Sequence, residues 1–269
     1  APVTSRGFNQ TEPTMTETAL GNGNATAISD YAIADMARSL QCHPADLEAI
    51  AEVESNGFGW FPDGRIKILF EKHWFYKLIP EAKRANASKS GIARKSWISP
   101  KNGGYKDQPD ADARYKLLAR AIAVDENAAY QSVSIGTYQI MGFNYSACGH
   151  KSAKEMFDAF CESEAAQLAA FVAFLRNKGL IKAIQDRDFA QVEKVYNGGG
   201  LNGAYATKMR KASEKLRSSK WANWTAQSPK PVVAPTVPEK PKPQPVGPAV
   251  SGNWLAALIK FILSLFKRK

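Results

Sequence analysis

Eight prolines between Pro229 and Pro248 limit how this chain can fold. Proline lacks a backbone N–H and fixes φ, so this stretch cannot lie inside a helix or a central strand. It predicts an extended linker of the polyproline type. The folded part of the chain therefore has to precede the linker, and the residues behind it have to act as a separate segment.

Composition divides the chain into four parts. Residues 1–27 are rich in Thr, Asn, Gly and Pro without a sustained apolar period, which predicts a flexible arm. Residues 28–217 carry helical and strand patterns, and the chain's hydrophobic share of 44% is ample for a packed core. Residues 218–251 form the linker, and residues 252–269 form a short apolar segment with a basic end.

The formal charge of +11 is concentrated behind the folded part. Residues 218–269 carry eight basic residues and one acidic residue, a net +7, which leaves +4 for residues 1–217. This placement argues against a nucleic-acid-binding core, and we predict no nucleic-acid partner. The basic tail instead predicts an acidic partner such as an anionic membrane or lipopolysaccharide.

The segment behind the linker has the pattern of an amphipathic helix. It is too short to span a bilayer as a helix, but it suits a helix that lies in the membrane interface. The alternative is a helix that docks on the folded domain or on a partner protein. The residues expected to contact the membrane are Trp254, Leu258, Phe261, Phe266, Lys267, Arg268 and Lys269.

Three cysteines, Cys42, Cys148 and Cys161, are widely spaced. The cysteines and the three histidines together do not form a metal-ligand spacing pattern, so we expect no metal site. We expect buried thiols in a protein made in a reducing compartment. Nothing in the sequence calls for a nucleotide or a redox cofactor.

One predicted helix, beginning near Pro44, carries a carboxylate on its apolar face. Leu47, Ile50 and Ala51 share this face, and the next position on it is Glu54. Burial disfavours the charged form of a carboxyl group and raises its pKa, as a general acid requires. The Ser-Asn-Gly that follows is typical of a helix C-terminus. The alternative is an ordinary surface glutamate at a frayed helix end.

A β-hairpin is predicted over residues 57–71, with its turn at Pro62-Asp63-Gly64. The second strand alternates with period two and ends at Glu71, on the face that also carries Arg65 and Lys67. Because this strand follows directly on the preceding helix, the Glu71 carboxylate can return to the same cleft. The alternative is a structural Glu71 paired with Arg65 or Lys67.

Further helices are predicted from Ser29, near Asp110, around Phe189 and around Met209. A capping-box pattern at Ser152 opens a helix that we expect to continue through Leu175 as the central helix of the core. Residues 132–144 interrupt the helical pattern with two glycines and are expected to form a cleft wall. In the basic loop before them, Trp97 and Tyr105 are candidates for stacking on a sugar or for packing.

Three motifs follow one another along the folded part: Glu54-Ser55-Asn56-Gly57, Gly136-Thr137-Tyr138-Gln139-Ile140-Met141-Gly142 and Val195-Tyr196-Asn197-Gly198-Gly199. In this order they resemble the lysozyme-like superfamily of goose-type lysozymes and lytic transglycosylases. The chain is more similar to the phage and prophage N-acetylmuramidase family over residues 29–216. The marks of that family appear as Glu52-Val53-Glu54-Ser55, Ile68-Leu69-Phe70-Glu71-Lys72-His73, Gln139-Ile140-Met141-Gly142-Phe143-Asn144 and Tyr205-Ala206-Thr207-Lys208-Met209.

This resemblance implies an α+β fold that is mainly α: a lysozyme-like domain with a small β-hairpin beside the cleft, followed by the proline-rich linker and the amphipathic helix. It implies an endolysin-like peptidoglycan hydrolase that cleaves the bond between N-acetylmuramic acid and N-acetylglucosamine. Glu54 would be the general acid and Glu71 the second carboxylate. The residues implied to line the saccharide groove are Ser55, Gln139, Asn144, Tyr196 and Asn197.

The expected partner is bacterial peptidoglycan, bound by a monomer. The N-terminus lacks the charged-then-apolar order of a secretory signal, so we expect synthesis in the cytoplasm of a bacterial host without Sec export, and action on the wall in the periplasm. One alternative is a lytic transglycosylase, in which Glu54 acts alone and the sugar's own 6-hydroxyl closes an anhydro product. Others are a non-catalytic wall-binding or virion protein, and a membrane-active toxin.

Overall fold

The computed structural model describes residues 20–55, 58–196 and 203–226. The proline linker and the amphipathic segment 252–269, with all the membrane contacts expected there, lie outside the described residues. So does the N-terminal part of the predicted arm, residues 1–19.

The described residues form eleven α-helices and one three-stranded sheet, which confirms the predicted α+β, mainly α class. The strands are β1 (Ile68–Phe70), β2 (Val133–Ile135) and β3 (Ile140–Met141), and two 3-10 helices span Pro100–Asn102 and Gly142–Asn144. The helices are α1 (Asp30–Ser39), α2 (Pro44–Ser55), α3 (Lys72–Leu78), α4 (Glu81–Lys89), α5 (Ala111–Val124), α6 (Glu126–Gln131), α7 (Ala153–Glu162), α8 (Glu164–Asn177), α9 (Ile181–Gln185), α10 (Phe189–Tyr196) and α11 (Ala204–Ser218).

The sheet is antiparallel in the order β1-β2-β3. Ile68 lies opposite Ile135, which in turn lies opposite Ile140. The turn predicted before β1 is present, since the Gly64 N–H donates to the Phe61 carbonyl at 3.0 Å. The hairpin itself is reduced to a single bridge between residues 60 and 66, and β1 takes β2 as its main partner. All three residues of β1 are buried, so the solvated face that period two predicts does not exist there.

The first two helices follow the prediction. The Ser29 hydroxyl accepts the Ala32 N–H at 3.2 Å and caps α1. α2 begins at Pro44, where the missing N–H leaves no hydrogen bond unmade. On its apolar face Leu47 and Ile50 are buried in the core.

The single long helix predicted from Ser152 through Leu175 is wrong, because the chain breaks at Ser163 into α7 and α8. Ser163 is extended, and its hydroxyl accepts the Ala166 N–H at 3.2 Å to cap α8. The break also frees the Glu164 N–H, which donates to the Thr26 carbonyl at 3.0 Å. The hydrogen bond to the Ser163 hydroxyl and the one to the Thr26 carbonyl thus replace hydrogen bonds that a continuous helix would have made.

Residues 20–27, which the prediction places in the flexible arm, are bound to the domain. The Ile66 N–H donates to the Gly21 carbonyl at 2.9 Å, and Thr26 forms a parallel bridge with Ser163. Gly23 lies so close to α7 that a Cβ at this position would stand 1.8 Å from the Cys161 carbonyl oxygen. Only glycine allows this approach.

All three cysteines are buried free thiols, as predicted. Burial raises the pKa of Cys42 and of Cys161 to about 12 and raises that of Cys148 further. For Cys42, the neighbouring Asp46 carboxylate acts in the same direction. These thiols are packing residues rather than nucleophiles.

Candidate active site

The C-terminus of α2 carries the predicted general acid. Glu54 is the next-to-last residue of this helix, one turn beyond the fully buried Ile50. Tyr196 is the last residue of α10. The side chains of Glu54, Ser55 and Tyr196, and the whole of Asn197, lie outside the described residues.

The chain that leaves α2 docks on the predicted cleft wall. The Gly59 carbonyl accepts the Lys67 N–H at 2.7 Å, and the Lys67 carbonyl accepts the Gly136 N–H at 2.8 Å. A Cβ on Gly59 would lie 2.5 Å from the Thr137 hydroxyl. The structure therefore brings the segment behind Glu54 against the turn that carries Gln139.

Gln139 stabilises this turn from within. Its backbone has a positive φ of 44°, which is rare for a residue with a side chain. Its amide oxygen accepts the Ser134 hydroxyl at 2.9 Å, and its amide nitrogen donates to the Gly136 carbonyl at 2.8 Å. Gln139 thus shapes the wall through its side chain. Asn144, the last residue of a 3-10 helix that follows β3, is half-buried.

A buried carboxylate that sequence reasoning missed lies behind the wall. Glu164, the first residue of α8, is 5% exposed and accepts the Thr137 hydroxyl at 2.8 Å and the Gly59 N–H at 3.4 Å. Gln167, fully buried one turn later, accepts the Thr137 N–H at 2.6 Å. The signal was the Ser163-Glu164 pair, which reads as a helix start once the continuous-helix interpretation is dropped.

Glu71, the predicted second carboxylate, stands between β1 and α3 and is 2% exposed. The Tyr105 hydroxyl lies 2.8 Å from one carboxylate oxygen and 2.9 Å from the other, and the Trp97 indole N–H donates to the Tyr105 hydroxyl at 2.9 Å. His73 Nδ1 lies 3.1 Å from Glu71 Oε2. The two loop aromatics therefore hold a carboxylate, and Tyr105 is too buried to stack on a sugar.

Neither of the alternative partners considered for Glu71 forms an ion pair with it. Arg65 pairs with Asp63 and with Asp112. Lys67 is half-buried, and burial lowers its pKa, an effect that the nearby Arg114 increases and Glu164 opposes. A structural Glu71 paired with Arg65 is contradicted, and its donors come instead from the loop behind α4. Burial, the Glu71 charge and the hydrogen bond to it raise the pKa of Tyr105, so Tyr105 stays a proton donor.

Metal binding has no support in the described part of the chain, where no three His, Cys, Asp or Glu side chains cluster as ligands would. Within the same residues, none of the helices is long and apolar enough to cross a membrane.

A mainly helical domain with a three-stranded sheet and a buried glutamate at a strand end fits a glycoside hydrolase of the lysozyme-like type. The model of the N-acetylmuramidase family matches residues 43–217. The crystal structure of the Burkholderia AP3 phage endolysin is similar, with a TM-score of 0.62 and 32% identity, over 74% of this chain and 75% of that chain. No curated protein sequence matches the chain.

The chain belongs to the N-acetylmuramidase family. It is a peptidoglycan hydrolase that acts on the bacterial cell wall, as the resemblance of its motifs implied.

Proposed function

We propose that the domain cleaves the bond between N-acetylmuramic acid and N-acetylglucosamine with two carboxylates, Glu54 as general acid and Glu71 as the second group. One observation carries the proposal: Glu71 is 2% exposed and has no lysine or arginine partner among the described residues, yet both its carboxylate oxygens face the Tyr105 hydroxyl. A buried carboxylate costs free energy, and such sites cluster where chemistry requires them.

The surroundings of Glu71 suit a group that faces a developing positive charge. Cleavage of a glycosidic bond passes through an oxocarbenium-like state that an oriented carboxylate stabilises or attacks. Tyr105 fixes the orientation of the Glu71 carboxylate, and Trp97 fixes Tyr105. Glu54, in the last turn of α2 on the face of Leu47 and Ile50, would supply the proton to the leaving oxygen.

The saccharide would lie along the surface between the end of α2 and the turn that carries Gln139. Docking of Gly59 on Thr137 supports this path, because it sets the two segments side by side. We assign Ser55, Asn144, Tyr196 and Asn197 to the same groove. Gln139 contributes by holding the wall, since its amide is bonded to Ser134 and Gly136.

Single substitutions at the two carboxylates test the proposal on purified Gram-negative peptidoglycan. We expect Glu54→Gln and Glu71→Gln each to lower turnover by about 100-fold or more, because each removes a carboxylate on which bond cleavage depends. Glu52→Gln is the matched control, since Glu52 lies on the same helix but is exposed. It should keep wild-type turnover.

Mass spectrometry of the released fragments distinguishes the chemistries. Reducing N-acetylmuramic acid ends would support the two-carboxylate mechanism. Anhydro ends would show that Glu54 works without a second carboxylate and would contradict the role of Glu71. Full turnover by Glu54→Gln would contradict the role of Glu54 as general acid. If the unsubstituted chain bound the wall but released no fragments, a wall-binding protein would be favoured instead.

We further infer that the chain is a monomer made in the bacterial cytoplasm as an endolysin, and that its C-terminal segment binds anionic membrane or lipopolysaccharide. Residues 254–266 are apolar except for Lys260 and Ser264, and residues 267–269 are all basic. The proline-rich linker would let this segment reach a surface while the domain works on the wall.

A further inference from the structure

Residues 72–106, the basic lobe, concentrate positive charge in one part of the folded domain. They include nine lysines and arginines and a single acidic residue, Glu81, for a net charge of +8. Residues 1–217 as a whole carry only +4, so the remainder of that region is net negative. The lobe comprises α3, α4 and the loop with the first 3-10 helix.

Both ends of the basic lobe are tied together at Glu71. The Arg94 N–H donates to the Lys72 carbonyl at 3.3 Å, and the Lys72 ammonium pairs with Asp107. Tyr105, near the end of the lobe, donates to the Glu71 carboxylate. The basic lobe therefore leaves the domain next to Glu71, the proposed second carboxylate, and returns to the same place.

Some of the basic side chains in the lobe have structural partners. Lys83 pairs with Asp125 at 3.2 Å, and the Arg84 guanidinium donates to the Lys77 carbonyl at 3.3 Å. Four exposed lysines have no carboxylate partner among the described residues. They are Lys89, Lys95, Lys101 and Lys106.

An exposed apolar residue lies between two of these lysines in the sequence. Ile98 is 40% exposed, an unusual exposure for a large aliphatic residue in this domain, and it follows the half-buried Trp97. Between Lys95 and Lys101 the surface thus offers both cations and an apolar contact. This combination suits a ligand with carboxylates and small apolar side chains on a peptide backbone, more than it suits a purely ionic polymer.

We propose that the basic lobe binds the peptide stems of peptidoglycan through their carboxylates. The stems branch from the lactyl groups of the muramic acid residues, so a glycan strand held at Glu71 presents its stems beside the cleft. Their free carboxylates and alanine methyl groups match the lysines and Ile98. The proposal rests on the peptidoglycan substrate and on the proposed path of the glycan past Glu71, but not on the catalytic roles of Glu54 and Glu71.

The effect is expected to be electrostatic and sensitive to salt. Exposed charges attract a polyanion over about one Debye length, roughly 10 Å at 0.1 M salt and 3 Å at 1 M. A cluster of one sign raises the local concentration of an oppositely charged substrate and speeds its association. The lobe would therefore affect binding and KM at low salt while leaving kcat on small saccharides unchanged.

The experiment compares two full-length variants of equal net charge. The lobe variant changes Lys89, Lys95, Lys101 and Lys106 to Gln. The control variant changes four exposed lysines elsewhere on the domain, Lys151, Lys178, Lys211 and Lys215, to Gln. Both variants keep the basic tail, so any contribution of the tail to binding cancels.

Binding to purified sacculi is measured by sedimentation in the Glu54→Gln background. The probes are untreated sacculi and sacculi whose peptide carboxylates have been converted to neutral amides with carbodiimide and ammonia. We expect the lobe variant to bind untreated sacculi about tenfold more weakly than the control variant at low salt, with the difference vanishing near 1 M salt. On amidated sacculi the two variants should bind equally.

Equal weakening of the two variants would overturn the proposal, since net charge alone would then explain binding. A defect of the lobe variant that persists on amidated sacculi would overturn the assignment to stem carboxylates and point to another anionic component of the preparation. A variant with Arg at the four lobe positions should bind like the wild type, which guards against a folding defect. Turnover that remains in the Glu54→Gln background would contradict the proposed general acid, a separate outcome.

Discussion

Tyr105 places one hydrogen-bond donor between the two oxygens of a buried carboxylate. The hydroxyl lies 2.8 and 2.9 Å from the oxygens of Glu71 and accepts a hydrogen bond from Trp97. A hydroxyl has a single hydrogen, so one oxygen at a time receives it, while the indole N–H keeps the phenol oxygen in place. Catalytic carboxylates depend on such neighbours because small errors in position cost large factors in rate.

We expect Tyr105→Phe to lower kcat about tenfold or more with little change in KM, because Glu71 loses its orienting donor without loss of volume. Steady-state kinetics on soluble peptidoglycan fragments measures this. Tyr115→Phe is the matched control, since its buried hydroxyl donates only to the Ile66 carbonyl at 2.7 Å. Its kcat should stay near that of the wild type.

A double variant shows whether Tyr105 acts through Glu71. In the Glu71→Gln background, Tyr105→Phe should have no further effect on residual turnover, because the group that Tyr105 positions is already gone. Additive losses would mean that Tyr105 has a purely structural role.

The three cysteines give a test of burial at the same scale. A thiol with a pKa of about 12, as for Cys42 and Cys161, is almost fully protonated near pH 8, and the reactive species is the thiolate. We expect Ellman's reagent to leave the native protein unmodified for minutes. In concentrated guanidinium chloride all three thiols should react at once, and fast reaction of the native protein would contradict the buried positions.

Helices α2 and α11 are held together by one buried carboxylate, a contact that we call the clasp. Asp46, in the first turn of α2, is 1% exposed, accepts the Ser213 hydroxyl of α11 and pairs with Arg217. Arg187 also approaches this carboxylate, with its Nε 3.5 Å from Asp46 Oδ1. Because α2 carries Glu54 at its other end, this clasp fixes the helix that presents the proposed acid.

Asp46→Asn should destabilise the domain by about 2–3 kcal/mol, since it removes the charge from hydrogen bonds made to an ionised group. For a domain of this size that corresponds to a Tm lower by roughly 5–10 °C. Asp35→Asn breaks a more exposed pair with Arg38 and should cost at most about 1 kcal/mol. Calorimetry on both variants measures the difference, and equal melting temperatures would contradict the clasp.

Elements with strong local signals were predictable from the sequence. The Ser29 and Ser152 caps and the apolar face of α2 are local patterns, and each appears where expected. The break at Ser163 was not, because it depends on Thr26, a residue far away in sequence that pairs with the extended backbone. The partner of β1 was missed for the same reason, since β2 lies more than sixty residues further along the chain.

The residues of the candidate site, too, were predictable from the sequence only in part. Glu71 was identified from its position at a strand end and from the family motif, and Arg65 and Lys67, its neighbours in sequence, were considered only as alternative structural partners. Tyr105 reaches it only because the basic lobe closes on itself. Glu164 was missed because an acidic residue within a helical pattern reads as a solvated one.

For the whole molecule, the proposed membrane binding by the tail should be separable from hydrolysis. We expect a chain lacking residues 252–269 to lose binding to anionic liposomes while it keeps wild-type hydrolysis of purified wall, because the linker separates the two activities. Vesicle co-sedimentation and a wall-clearing assay measure both. Unchanged liposome binding would mean that the domain, and not the tail, binds the membrane.

The outer edge of β1 has a consequence for how copies of this domain meet. The Gln108 amide donates to the Phe70 carbonyl and accepts its N–H, both at 2.9 Å, so a side chain imitates a neighbouring strand. Arg114 and Tyr115 bind the carbonyls of Ile68 and Ile66 in the same row. A strand from another chain would have to displace these three partners before it could pair. Side chains therefore occupy the backbone hydrogen-bonding groups along this edge of the sheet. When many copies crowd together at a wall, this edge does not offer free groups with which a strand of another copy could pair.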